Sequence, residues 1–370
     1  MIPLASLSRT ASGLNRCLAR AGSRAPRWAA LITVGAVLSF ANARLTAQEP
    51  TAEPAVSAII ALFKTYQVVG VNAGHRMKDL DDLLLNLIRA PEFIDAVNDI
   101  VVECGNSRYQ RVLDRYIQGE DVALADVQPV WRNTTVPQMC SVSPFYAQLF
   151  PLVRRINQGL SPAKRLRVVA ADPPIDWSAI TTQAGFARYY GARDSTIAAI
   201  MEREVLSRHR NALLLFGSAH LAHGLTSAVA ASVRELPGGF AVASAVARYE
   251  EHYPSITFTI DLFGCGSITA GGSGSGSWPV PSFVRTSGTR LASPANSPVR
   301  GPDGLLYLSR PEWLLYELRP AFVFLDDTLV AELRRQVALM PSAPPLDEFV
   351  DRRQIQQRDA NNPFLCNPRR

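Results

Sequence analysis

Four side chains able to bind a metal ion or carry a proton follow short apolar runs of the sequence. They are His75, Glu103, Asp172 and His220. Neutral imidazole and carboxylate oxygen are ligands that zinc, manganese and iron accept. A bound metal lowers the pKa of a coordinated water and polarises a carbonyl. We therefore predict a divalent metal site formed by these four residues. The alternative is a hydrogen-bonded structural role for each histidine.

A second group of polar residues lies close to His220 or at the start of a predicted helix. His223 follows His220 by three positions, which places both on one helical face, so it is either a second ligand or a residue that supports a ligand. Arg193 is a candidate for stabilising the oxyanion of a transition state. With Asp194 it forms a candidate anion clamp, although Asp194 alternatively caps the N-terminus of its own helix.

The apolar runs that precede the four candidate residues predict buried strands. They cover residues 67–71, 99–103, 166–171 and 212–216, and helical periodicity separates them. Strands that are apolar on both faces and alternate with helices indicate an α/β fold, with a mostly parallel central sheet and helices on both faces. Right-handed crossovers bring the carboxyl ends of such strands to one edge of the sheet, where ligands bind. The four candidates are therefore expected to converge.

Changes in composition divide the chain into six segments. The predicted segments are a signal peptide over 1–43, a linker over 44–58, the α/β domain over 59–263, a flexible Gly/Ser/Pro-rich loop over 264–304, an irregular C-terminal extension of the same domain over 305–345 and a disordered tail over 346–370.

The N-terminal segment predicts export. Residues 1–43 carry five arginines and no acidic residue, and the apolar run 28–40 is followed by Ala41-Asn42-Ala43. A basic region, a short apolar region and an A-x-A site form a secretory signal peptide. The alternative is an uncleaved membrane anchor, although the run is shorter than the ~20 residues that a spanning helix prefers. We expect a periplasmic or secreted protein that contacts the membrane only through this segment, if it is uncleaved.

The distribution of charge argues against one class of partner. The five N-terminal arginines account for most of the net charge of +6, so the nearly neutral remainder argues against a nucleic-acid partner.

Export leaves Cys104, Cys140, Cys265 and Cys366 in an oxidising compartment, where four cysteines allow three full pairings. We interpret them as buried thiols or at most one disulfide.

The strand endings resemble those of a known superfamily. The late strand ends in the GSAH of residues 217–220, the second strand ends in the VVE of residues 101–103, and a DPPIDW segment follows the third. This ordered pattern is similar to that of the superfamily containing erythromycin esterases, ChaN-like haem-binding lipoproteins and Tiki/TraB proteins. The likeness is greatest to uncharacterised exported bacterial members. It covers about residues 60–230 and implies an α/β fold with its site at the strand ends.

The first motif departs from the family pattern. Members end the first strand in G-x-x-H or G-E-x-x-H, whereas residues 72–75 read NAGH. The histidine is kept, but Ala73 stands where several members have an acid. Loss of that acid is compatible with metal or haem binding through His75, Glu103 and His220. It would mark a binding protein or a degenerate enzyme.

The residues and the resemblance together predict an exported, metal-dependent hydrolase of an ester or amide bond in a small molecule or peptide. In this hypothesis His75, Glu103 and His220 hold a divalent metal (zinc, manganese or iron) or activate water, and Arg193 stabilises the oxyanion. One alternative is a non-catalytic haem- or metal-binding envelope protein with the histidines as ligands. Another is a degenerate member without activity.

Overall fold

In the computed structural model the described residues are 47–73, 77–224, 243–263, 278–293, 300–309 and 326–341. The predicted signal peptide, the candidate ligand His75 and the predicted tail over 346–370 lie outside these ranges.

The described strands form one eight-stranded sheet. The strands are β1 (Glu53–Pro54), β2 (Val68–Asn72), β3 (Asp99–Asn106), β4 (Arg167–Asp172), β5 (Ala212–Phe216), β6 (Thr257–Leu262), β7 (Ser282–Arg285) and β8 (Gly304–Tyr307). Their order across the sheet is β1-β7-β8-β6-β2-β5-β3-β4. The strands from β8 to β4 run parallel, whereas β7 and β1 pair antiparallel at one edge. The predicted mostly parallel sheet is therefore confirmed.

Helices connect the parallel strands. The α-helices are α1 (Ala55–Leu62), α2 (Lys78–Arg89), α3 (Pro91–Ala96), α4 (Gln110–Ile117), α5 (Leu124–Val127), α6 (Pro129–Arg132), α7 (Pro137–Cys140), α8 (Pro144–Gln158), α9 (Gln183–Gly191), α10 (Arg193–Glu204), α11 (Ser218–Leu221), α12 (Ala245–Glu250) and α13 (Asp327–Ala338). Short 3-10 turns lie at Ser107–Tyr109, Pro162–Lys164, Trp177–Ala179 and Leu206–Arg208.

Alternate residues of the strands enter two different cores. In β5, Leu213 and Leu215 pack into a core that is covered by α1–α4 and α8. Leu214 and Phe216 point to the other face, into a core that is covered by α10 and α12. Because successive side chains of a strand point to opposite faces, a strand buried on both sides must be apolar throughout. The prediction of helices on both faces is confirmed.

The C-terminal helix α13 packs beside the segment that follows β4. Its apolar side chains share a cluster with Trp177, Ile180 and Phe186. Arg335 of this helix donates hydrogen bonds to the carbonyls of Trp177 and Ile180. The helix therefore holds in place the chain between β4 and α9.

Three ranges differ from the sequence-based expectation. Proline-bearing composition predicts coil up to residue 304, but Ser282–Arg285 forms β7, since its backbone pairs with both β8 and β1. The predicted linker 44–58 already contains the start of α1, because Ala55 and Ala58 are buried against the first core. The charged and proline-bearing stretch 119–135 predicts a loop, but it contains α5 and α6, whose Val127, Val130 and Trp131 are also buried there.

No helix in the described part of the chain is long and apolar enough to cross a membrane. The apolar run 28–40 lies outside that part, so the predicted signal peptide stays a prediction.

Candidate functional site

The site lies where β3, β4 and β5 approach their carboxyl ends. β3 and β4 pair in register up to Val102 and Ala170, and the register then shifts before Asn106 pairs with Asp172. Glu103 lies within this irregular stretch, and such bulges re-aim side chains. Gly105 makes the close approach possible, because a Cβ on this residue would lie 2.8 Å from Ala170 Cα.

Glu103 is the centre of the site, and its carboxylate is buried. Its Oε1 atom accepts a hydrogen bond from Arg193 Nη2 at 2.5 Å and lies 3.5 Å from His220 Nε2. Its Oε2 atom accepts a hydrogen bond from the backbone N–H of Gly217 at 2.7 Å. Two cationic side chains and one backbone donor therefore converge on a single carboxylate.

His220 is held by a second carboxylate on its other ring nitrogen. Its Nδ1 atom lies 2.7 Å from Asp194 Oδ1, an atom that also accepts the backbone N–H of Ala245 at 2.8 Å. Burial by itself lowers the pKa of His220, but the carboxylates of Asp194 and Glu103 outweigh it and raise the pKa to about 9. The ring is therefore an imidazolium at neutral pH, with one N–H donor directed at each carboxylate.

Arg193 links Glu103 to a third carboxylate, Asp172. The Arg193 Nε atom lies 3.6 Å from Asp172 Oδ1, and within the described residues this buried Nε–H has no hydrogen-bond partner. Asp172 accepts hydrogen bonds from the backbone N–H and the hydroxyl of Thr135, at 2.7 and 2.5 Å. Burial raises the pKa of Asp172 to about 7, against the opposing effects of Arg193 and Thr135. The Asp172 carboxyl group therefore titrates near neutrality.

A disulfide lies directly beside Glu103. Cys104 of β3 is bonded to Cys140 of α7, and both residues are fully buried. Tyr146 is also buried here, and its pKa is raised by burial first and then by the charges of Glu103 and Asp81. Cys265 and Cys366 lie outside the described residues, so the expectation of at most one disulfide stays a prediction.

His223 belongs to a separate ion cluster. Its Nδ1 and Nε2 atoms each lie 2.8 Å from a carboxylate, those of Glu250 and Asp303 respectively. Burial lowers the pKa of His223, but these two carboxylates raise it to about 9 overall. Asp303 also accepts the backbone N–H of Thr259 in β6. Both ring nitrogens are hydrogen-bonded to carboxylates at 2.8 Å, whereas Nε2 of His220 lies 3.5 Å from Glu103, so the contacts of His223 favour a role in joining α12, β6 and the start of β8.

The structure brings together four of the five residues predicted to bind a metal or take part in catalysis, namely Glu103, Asp172, Arg193 and His220. The fifth, His75, lies outside the described residues. Among the described residues, no three His, Cys, Asp or Glu side chains are grouped so as to hold a metal ion. The ligand set that includes His75 stays a prediction.

Sequence reasoning missed the part that Asp194 and Thr135 play in the site. The position of Asp194 beside Arg193 at a helix start predicts either an anion clamp or a cap of that helix. Its carboxylate instead accepts from His220 and from Ala245 on α12. Thr135 lies in a range read as loop, where no local pattern marks it as the partner of Asp172.

No family model matches the chain, and no curated protein matches it significantly. Two solved structures are similar to part of it. The type III effector HopBA1 is 14% identical with a TM-score of 0.36, and the match covers 61% of this chain and 91% of that one. A protein from Bacillus cereus is 10% identical with a TM-score of 0.36, and the match covers 70% and 94% respectively. Similarity at this level carries no inference about activity, so the erythromycin esterase/ChaN-like resemblance stays a prediction.

Proposed function

We propose that this protein is an exported hydrolase of ester or amide bonds, of the erythromycin esterase/ChaN-like type, in which His220 transfers the proton. The observation that carries the proposal is the position of the His220 imidazolium. Asp194 holds its Nδ1 atom at 2.7 Å, while Nε2 faces Glu103 at 3.5 Å. A carboxylate that orients one ring nitrogen and leaves the other for chemistry is the usual arrangement of an acid–base histidine.

Each described residue has a distinct role in this proposal. Water attacks the substrate carbonyl and gives up a proton to a base, for which His75 is the candidate on the family resemblance. Arg193 stabilises the negative charge that develops on the carbonyl oxygen, because its buried Nε–H has no other hydrogen-bond partner within the described residues. His220 then donates its Nε2 proton to the leaving oxygen or nitrogen as the bond to carbon breaks. Glu103 positions both cations.

A divalent metal is compatible with two of the described donors. His220 Nε2 and Glu103 Oε1 are 3.5 Å apart, a separation that two ligands of one ion bound at ~2.0–2.2 Å can have. Asp194 on Nδ1 would be the supporting carboxylate that metal-binding histidines commonly have. Asp172 fits less well, since Thr135 donates to both of its oxygens. Held by Glu103, His220 and His75, such an ion would replace the proton on Nε2, so the two histidines would be ligands in place of acid and base, and the ion would lower the pKa of a water.

The second candidate is a non-catalytic haem- or metal-binding protein of the cell envelope. Two observations favour it. Ala73 stands where several family members have an acid. The buried His220 binds Asp194 through Nδ1, which leaves Nε2 as the nitrogen that could bind a metal or haem iron. Export is part of both candidates. The Cys104–Cys140 disulfide supports it, because structural disulfides persist in oxidising compartments.

The test is turnover of a library of uncharged esters and peptide amides by the exported chain, measured with EDTA and with added zinc, manganese or iron. We compare the parent with Glu103→Gln and His220→Asn. His252→Asn is the matched control, because His252 is exposed and its ring is hydrogen-bonded to Glu202, away from the site. Hydrolysis should fall at least 100-fold in the two site variants and stay unchanged in the control.

Two outcomes would overturn the proposal. Equal turnover in the parent and His220→Asn would remove His220 from the reaction. No turnover under any metal condition, combined with a Soret band on adding haemin that His220→Asn loses, would establish the binding protein instead.

A further inference from the structure

The exposed ring of Tyr190 is the end of a row of aromatic side chains. Trp177 and Phe186 stack with ring centroids 5.5 Å apart and an interplanar angle of 20°. Phe186 and Tyr190 lie one helical turn apart on α9, with centroids 5.7 Å apart. Trp177 and Phe186 are buried, whereas Tyr190 is 49% exposed. The two buried rings therefore hold the third in a fixed place at the surface.

This row is attached to the segment that supports the site. The indole N–H of Trp177 donates a hydrogen bond to the carbonyl of Thr134, and the next residue, Thr135, holds Asp172. Arg335 of α13 fixes the carbonyl of Trp177 from the other side. Tyr190 is thus positioned by the same part of the chain that positions a carboxylate of the site.

Tyr190 also lies beside a residue of the site itself. Its ring centroid is 5.6 Å from the Cζ atom of Arg193, and Arg193 binds Glu103. Arg193 is 8% exposed, so Tyr190 is a large aromatic surface immediately outside a buried cation. When a substrate carbonyl approaches Arg193, a group bonded to that carbonyl would come within reach of the Tyr190 ring.

The charges of the described site disfavour an anionic substrate. The two cations, Arg193 and His220, already face three carboxylates. They therefore leave no net positive charge among these five groups to attract an anion. An uncharged substrate is therefore favoured, and Tyr190 is an exposed aromatic side chain beside Arg193 that is available to contact it.

We propose that Tyr190 determines substrate specificity by stacking on an aromatic or planar apolar group next to the scissile ester or amide bond, so that the substrates are uncharged aryl-bearing esters or amides. This inference rests on the proposed hydrolase function. Tyr190 contacts the substrate away from the reacting atoms, so its loss should weaken binding and leave the chemical step intact.

The experiment measures KM and kcat for three esters. Ethyl acetate has no phenyl group, ethyl phenylacetate has one on the acyl side, and benzyl acetate has one on the alcohol side. We compare the parent with Tyr190→Ala and Tyr190→Phe. The control is Leu124→Ala, another exposed apolar side chain, on α5. Melting temperatures verify that each variant is folded.

At least one aryl ester should have a lower KM than ethyl acetate in the parent. Tyr190→Ala should raise that KM about 3- to 10-fold with kcat unchanged, which is the range expected for loss of one aromatic pair. Tyr190→Phe and Leu124→Ala should keep the parental value. An unchanged KM for both aryl esters in Tyr190→Ala would overturn the proposal for Tyr190 while hydrolysis itself stands.

If the parent cleaves none of the three esters, binding of phenylacetamide and acetamide is measured by saturation-transfer NMR. Binding of phenylacetamide to the parent but not to Tyr190→Ala would support the aryl site independently of hydrolysis, which the turnover library tests. Equal binding to both proteins, or to neither, would overturn the aryl site.

Discussion

The Nδ1 atom of His220 lies 2.7 Å from Oδ1 of Asp194, although the two residues are 26 positions apart in the chain. Asp194 is in the first turn of α10, and His220 follows β5. The same carboxylate oxygen accepts the backbone N–H of Ala245, the first residue of α12. One side chain therefore fixes the histidine and ties two helices to each other.

Replacing Asp194 with asparagine should lower the pKa of His220 from its value of about 9, because the amide keeps an acceptor but loses the charge that favours the imidazolium. Since the folded pKa exceeds the ordinary value of 6.5, the pair stabilises the fold fully below pH ~6.5 and loses that effect as the pH rises through 9. NMR titration of the imidazole Cε1–H signal measures this, with His220→Asn to assign it. An unchanged pKa would show that Asp194 does not set the charge of the ring.

Arg193→Met should destabilise the protein by about 3–5 kcal/mol, because it removes the cation that faces Asp172 and one of the two cations that face the buried Glu103. Adding Glu103→Gln to this variant should cost less than it does in the parent, since the ion pair between Arg193 and Glu103 is then already broken. Urea unfolding of the four proteins in this double-mutant cycle measures the coupling. Additive free energies would mean that the two side chains do not stabilise each other.

Replacing Cys104 and Cys140 together with alanine should lower the free energy of unfolding by about 2–4 kcal/mol, since the disulfide restricts a loop of the unfolded chain. Thermal unfolding with and without dithiothreitol provides the measurement. Reductant should destabilise the parent and leave the double variant as it is. A double variant as stable as the oxidised parent would contradict the expectation.

Gly105→Ala should destabilise the protein by about 1–3 kcal/mol, the usual cost of overpacking. The new Cβ would lie 2.8 Å from Ala170 Cα, which is backbone of the adjacent strand β4 and cannot rotate away. Gly191→Ala is the matched control, because nothing lies within 4 Å of a Cβ at that position. Chemical denaturation of the two variants should separate them, and equal stabilities would show that β3 and β4 can move apart at no cost.

The apolar runs of the sequence predict four of the eight described strands, because strands buried on both faces appear as unbroken apolar runs. β5 has the predicted bounds, β2 and β4 are displaced by one residue, and β3 extends three residues further. This extension passes through Gly105, which has no side chain to oppose the approach of Ala170. Because parallel strands share the direction of their carboxyl ends, the pattern also predicts that Glu103, Asp172 and His220 approach one another.

Only the tertiary structure determines which of the buried charged side chains pair with each other. Glu103 and Arg193 are 90 positions apart, and their contact depends on where α10 begins relative to the ends of β3 and β5. The local sequence is compatible with Asp194 capping its own helix. Packing of α12 against α10 instead places its carboxylate against the ring of His220 and the backbone N–H of Ala245. Apolar periodicity is a local property of the chain and can be read along it. The pairing of buried charges depends on the relative placement of whole helices and strands, so it emerges only when the core has formed.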